Sequence, residues 1–202
     1  MEGGHHTNKD RFWTVLKINI VVFVAEMLAG YSSGSLSMIS DSFHVFLHVF
    51  VSLVALISEY EFWGISPKKI KLCAAGINIA LFFPLAIMIA YEANIRWQNP
   101  PVINPTPIYF LVAIFGLIAN FYTVLILKPK KHKHQTENEN ILILYIHMIF
   151  DTIGSFIVLI GAIEIIRTGN YFIDPMSSFV LAGLIVLAAI LMSWELIRGH
   201  NH

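Results

Sequence analysis

The stretch SDSFHVFLHVF, residues 40–50, sets an acid and two imidazoles into a run that is otherwise rich in phenylalanine, valine and leucine. Read as a helix, it carries Asp41, His44 and His48 at offsets 0, 3 and 7, which fall on one face. Phe43, Val45, Phe46, Leu47, Val49 and Phe50 cover the rest of the cylinder. What such a face can do depends on the solvent around the helix, and the remainder of the chain identifies that solvent as lipid.

Hydrophobic residues make up 56% of the 202 residues and charged residues 13%, with a mean hydropathy of +0.69. Soluble domains are about a quarter charged. A membrane-spanning helix needs ~20 mostly apolar residues, and the chain offers six such runs, at 12–31, 36–59, 70–95, 107–127, 141–166 and 173–197. The expected fold is therefore all-α, a polytopic membrane protein with six transmembrane helices. Residues 1–10 read as a polar tail, 11–198 as a single six-span transmembrane domain and 199–202 as a short C-terminal tail, which leaves no room for a substantial soluble domain. The first apolar run lacks a small-x-small cleavage pattern and is too long for a signal core. Cys73 is the single cysteine, so an internal disulfide is excluded.

The charges sum to zero, and their placement says more than their sum. Lys9, Arg11, Lys17, Lys68, Lys69, Lys71, Lys128, Lys130, Lys131, Lys133 and Arg198 fall at the N-terminus, the second and fourth loops and the C-terminus. Arg96 and Arg167 fall on the other side. Cytoplasmic loops carry the excess of lysine and arginine, so both termini are expected to be cytoplasmic. AGYSSGS reads as a tight outer hairpin, and NPPVINPTP as a proline-rich outer turn. RTGNYFIDP reads as the last outer turn, with Gly169 stopping one helix and Pro175 opening the next.

Within the spans, ionisable groups are few and paired. His44 and His48 stand on the second span and His147 and Asp151 on the fifth, each pair at i, i+4 and so on one helix face. At 1.5 Å per residue, the first pair lies roughly 12–18 Å from the outer end of its helix and the second roughly 9–15 Å from the inner end. In a core about 30 Å thick, both are near the middle. A single intramembrane histidine commonly serves as an interhelical hydrogen-bond partner. Two pairs at matching depth instead present four nitrogen and oxygen ligands to a common point, the set that tetrahedral zinc takes. A bound cation also removes the cost of leaving such groups unpaired in hydrocarbon, several kcal/mol by the usual scales.

Two readings of Asp41 stand side by side. One is support for the His44 imidazole from outside the metal shell, the other an acid near a helix N-terminus at the outer surface. HVFLHVFVSLVALI (44–57) also lies over HMIFDTIGSFIVLI (147–160), with serine at offset 8 in both, Ser52 and Ser155. The two spans run in opposite directions, the arrangement of an inverted repeat with its site at the repeat interface.

GYSSGSLSMISDSFHVFLHVF resembles the second-span signature of the cation diffusion facilitator family, with Ser35, Leu36, Asp41 and His44 on pattern positions. YIHMIFDTIGS resembles the family's fifth-span H-x-x-x-D, on His147 and Asp151. Weaker echoes are AEMLAG, YEANIRW, GLIANF and FIDPMSSF. The resemblance implies six spans with cytoplasmic termini and proton-coupled export of a divalent metal, most often zinc. It implies that His44, His48, His147 and Asp151 hold the ion, with Cd2+, Co2+, Ni2+ or Fe2+ as other cargoes. The expected partners are then a divalent metal ion, protons and the lipid bilayer of a bacterial inner membrane, with no nucleic acid.

The sequence departs from the family pattern in two places. Position 48 is histidine where the pattern has aspartate, which leaves three neutral imidazoles and one carboxylate around the ion. Most relatives also continue into a cytoplasmic metal-binding domain that supports dimerisation, whereas the chain stops at His202. It reads as a short form, and a homodimer is an open expectation. His132 and His134 in the fourth loop read either as weak metal collectors or as part of a solvated basic loop. Asn19 and Asn120 read as interhelical hydrogen-bonding groups, and Glu26, Glu164 and Glu195 as side chains reaching the interface. Competing functional readings are a histidine-ligated intramembrane redox protein, haem or di-iron, and a transport-inactive partner subunit. No H-E-x-x-H is present for a zinc protease, and no other feature calls for an enzyme.

Overall fold

The computed structural model describes the backbone of residues 3–58, 67–104, 106–127 and 135–200. Side chains are described over 13–50, 79–104, 106–126 and 148–194 and at 53, 73, 76 and 77. Six helices follow in order: α1 (Gly3–Ser33), α2 (Leu36–Ser58), α3 (Pro67–Gln98), α4 (Pro107–Leu127), α5 (Gln135–Thr168) and α6 (Ile173–His200). Each contains one of the six apolar runs. Five carry described stretches long and apolar enough to cross a membrane, and α2 carries a shorter one, Leu36–Phe50. The N-terminal ten residues set apart as a polar tail are helical from Gly3 onward.

The turns follow from local chemistry. Gly34 and Gly169 have φ of 78° and 67°, values that only glycine adopts without penalty. They end α1 and α5 and let α2 and α6 start within a few residues. Proline, whose missing N–H costs nothing in a first turn, opens α3 at Pro67 and α4 at Pro107 and sits third in α6 at Pro175.

Three connections gather at one end of the bundle. Arg96 Nη1 donates to the Gly34 carbonyl at 2.6 Å, and Asn104 N–H donates to the Ser33 carbonyl at 2.9 Å. The start of α6 also bonds the start of α2 there, through Asp174. Thus α2, α4 and α6 run away from that end while α1, α3 and α5 run toward it, so α2 and α5 are antiparallel.

Polarity is arranged for lipid. Outward positions are apolar, with Leu28 67%, Ile87 70% and Leu111 64% exposed. The interior holds Asn19, Glu26, Asp41, His44, His48, Asn120 and Asp151, all buried. A soluble protein places these classes the other way round. In a bilayer the outer face needs no water and the polar groups must satisfy one another inside. Apolar packing fills the gaps, with Phe82, Ile89 and Ala93 of α3 buried and Ala182, Ile185 and Ala189 of α6 among the residues facing it.

Candidate metal centre

α2 and α5 meet at a buried junction of imidazole and carboxylate. His44 Nε2 lies 2.5 Å from Asp151 Oδ1, and His48 Nε2 lies 3.0 Å from Asp151 Oδ2. One carboxylate therefore bridges both rings, an oxygen to each. The i, i+4 spacing brings the rings together, with centroids 4.8 Å apart and planes nearly perpendicular at 82°. Phe82 of α3 stacks on His44 at 5.3 Å and 25° and fixes that ring's plane. All three polar residues are buried, and one potential ligand atom from each lies within 4.8 Å of the others.

Nitrogen and oxygen atoms set this close are chemically able to take either a proton or a metal ion. In the His44 contact the imidazole nitrogen donates and the carboxylate accepts. A divalent ion binds deprotonated nitrogen at about 2.0–2.1 Å and carboxylate oxygen at about 2.0–2.2 Å. Tetrahedral ligands at those lengths stand about 3.3 Å apart, less than 1 Å wider than the two contacts here. His147 lies one turn before Asp151 in α5, and its side chain lies outside the described residues. So do the side chains of His5, His6, His200 and Glu195, and residues His132, His134 and His202.

Asp41 belongs to the interior and not to the surface. It is 4% exposed and accepts a hydrogen bond from Ser155 Oγ to its Oδ2 at 2.9 Å. Ser155 in turn accepts from Asn120 Nδ2 at 2.8 Å. Polar contacts thus run from α4 through α5 to α2, one turn from His44. Asn120 fulfils the interhelical role expected of it. At Gly154 of α5 a Cβ would stand 3.2 Å from the Leu181 side chain of α6, a tight contact, and 3.6 Å from Asp41 Oδ1 of α2, an ordinary one. A small cleft between α2, α5 and α6 is lined by Asp41, His44, Phe150, Asp151 and Leu181 and leads to the junction.

Glu26 corrects an expectation. Placed at the interface from its position in the span, it is instead buried at 2%. Its carboxyl fits against Gly116 of α4, where a Cβ would overlap its Oε1. The small residue opposite made that burial possible, and neither span reveals the pairing alone. Glu164 does reach the surface and pairs with Arg167 at 2.7 Å. Asp174, which drew attention only as part of the FIDPMSSF echo, is fully buried with four hydrogen bonds to residues 35–37. Its signal was an acid just before a proline at a helix start, beside two serines at another helix start.

A family model described as the cation efflux transmembrane domain matches residues 13–199. Among curated proteins, the zinc transporter ZitB of Yersinia pestis is 30% identical over 205 residues, covering 97% of the chain and 62% of the relative. The cadmium, cobalt and zinc/H(+)-K(+) antiporter of Bacillus subtilis is 29% identical over 196 residues, 91% of the chain and 61% of the relative. The metal cation efflux system protein CzcD of Cupriavidus metallidurans is 32% identical over 183 residues, 87% and 55% respectively. The chain thus spans 55–62% of the length of these relatives.

Proposed function

Because the chain belongs to the cation efflux family, an integral protein of a bacterial inner membrane, we propose that it exports a divalent metal ion, zinc foremost, in exchange for protons. The ion sits between α2 and α5 on His44, His48, His147 and Asp151. The single observation that carries this reading is the Asp151 carboxylate bridging two imidazoles of another helix in a buried interior. The relatives' names, which specify zinc, cadmium and cobalt, support the cargo class.

In this mechanism both termini are cytoplasmic, and the ion enters from that side between α2 and α5. Binding requires neutral imidazole and ionised carboxylate, so loading releases protons. The bundle then rocks about the site and opens outward, as in transporters built on a midplane site. There protons compete for the same nitrogen and oxygen atoms and displace the ion, and the protonated site returns. Asp41, held by Ser155, keeps the His44 region polar and oriented.

Three imidazoles and one carboxylate leave a bound divalent ion with a formal charge of +1. Such a set favours borderline metals such as zinc over manganese or magnesium, which prefer oxygen. A haem reading finds no support here, since His44 and His48 share one helix and both address Asp151.

The test is metal flux into proteoliposomes under an imposed pH gradient, scanning zinc, cadmium, cobalt, nickel and manganese. Zinc flux that collapses in His147→Ala and in Asp151→Ala is expected. Wild-type flux in both variants would reject the site.

A further inference from the structure

Where α2 and α6 begin, a single carboxylate holds the start of α2. Asp174 Oδ1 accepts from Ser35 Oγ and Ser37 Oγ, each at 2.7 Å, and from the Ser37 N–H at 3.1 Å. Asp174 Oδ2 accepts from the Leu36 N–H at 2.8 Å. The residue is 0% exposed. Its four donors all come from one short segment, and they account for both carboxylate oxygens.

The first turn of a helix leaves N–H groups without intrahelical acceptors. At α2 these are met from two sources. Ser35, the residue before the helix, takes the Met38 N–H on its own hydroxyl at 3.3 Å, an ordinary N-cap contact. The Leu36 and Ser37 N–H groups are taken by Asp174, more than 130 residues away in the chain. The cap is thus supplied by another helix, and the positive end of the α2 dipole favours the negative charge placed there. The Tyr109 hydroxyl of α4 lies 3.3 Å from Ser35 Oγ and ties a third helix to the same point.

Such a cap fixes more than stability. A helix turns 100° and rises 1.5 Å per residue, so a one-residue slip of α2 would swing His44 and His48 far from Asp151. Four directional bonds at the start of α2 set its height and rotation against α6. His44 follows eight residues later, about 12 Å along the axis, and inherits that phase. We infer that Asp174 is a positioning residue for the metal centre: it does not touch the ion, and it clamps α2 so that His44 and His48 meet Asp151. This role rests on the reading of those three residues as ligands.

Zinc affinity of the purified full chain in detergent, measured by competition with a fluorescent zinc indicator, tests it. The variants are Asp174→Ala, Asp174→Asn, the pair Ser35→Ala with Ser37→Ala, and the combination of that pair with Asp174→Ala. Circular dichroism verifies helicity in each. Asp174→Ala is expected to weaken zinc binding at least tenfold at preserved helicity. Asp174→Asn keeps the Oδ1 acceptor but turns an amide toward the Leu36 N–H, and is expected to fall between. The serine pair is expected to weaken binding severalfold and to add nothing on top of Asp174→Ala, since all act through one contact.

A purely structural role would lower the melting temperature and leave zinc affinity alone, and wild-type affinity in Asp174→Ala and in the serine pair would overturn the proposal. If Asp174→Ala does not fold, the serine pair decides in the same way. Absence of zinc binding by the wild-type chain would instead overturn the metal-centre reading, and this one with it.

Discussion

His44 and Asp151 are 107 residues apart in the chain, yet Nε2 of one lies 2.5 Å from Oδ1 of the other. The contact joins two antiparallel helices at a point closed to bulk solvent, and the proposed chemistry concentrates there. Asp151 supplies the only negative charge of the four proposed ligands. Asp151→Asn preserves shape and removes that charge, and is expected to reduce zinc flux in proteoliposomes to background. Flux within twofold of wild type would show that the carboxylate does not hold the ion.

In the proposed site, position 48 is the residue expected to set selectivity. His48→Asp exchanges an imidazole for a carboxylate and brings the formal charge with a divalent ion to zero. Harder cations then bind better, so the ratio of manganese to zinc initial rates is expected to rise several-fold. An unchanged ratio across the metal scan would place selectivity elsewhere.

At the proposed site protons and metal would compete for the same atoms, which sets the sign of the expected pH dependence. Free imidazole titrates near 6.5. Below that value each imidazole ligand must lose a proton before the ion binds, so zinc affinity is expected to fall as pH falls and to level off toward pH 8. Calorimetric titration at pH 6 and pH 8 is expected to show tenfold or greater weakening at the lower pH, with protons released on binding. Equal affinities at both values would remove the basis for proton coupling at this site.

Ser155 gives Asp41 Oδ2 its hydrogen bond. Ser155→Ala removes the donor and leaves a buried acceptor unmet, a cost of about 1–3 kcal/mol. A lower melting temperature and a several-fold loss of zinc affinity are expected, with less additional loss when Asp41→Asn is combined with it. Fully additive effects would mean the two residues act separately.

Gly116 leaves space for the Glu26 carboxyl. Gly116→Ala overpacks that contact at an expected cost of about 1–3 kcal/mol. Thermal unfolding in detergent reads the loss, and a double variant with Glu26→Ala is expected to recover part of it. No change in either would mean that α1 and α4 do not pack this closely.

Much of the architecture was legible in residue order. Runs of ~20 apolar residues read as spanning helices, and Gly34, Pro107, Gly169 and Pro175 punctuate them for local reasons, so the helix ends they mark fall within a few residues of expectation, whereas α1 and α5 begin well before their apolar runs. The pairing of His44 and His48 with Asp151 was legible from spacing and depth. The surroundings were not, because they depend on which helices touch. Glu26 is buried through a glycine on α4, and Asp41 takes its hydrogen bond from α5. Asp174 caps a helix far from it in the chain. Periodicity within one span carries no record of its neighbour's face.

The described side chains of the site come from just two rods, α2 and α5. On the proposed reading, cargo lodged there would act as a removable rivet. While in place it opposes any sliding of one rod past the other, in proportion to how tightly it is gripped. The same shear that frees the ion is the shear its presence resists, so the transporter must trade strength of grip against speed of turnover.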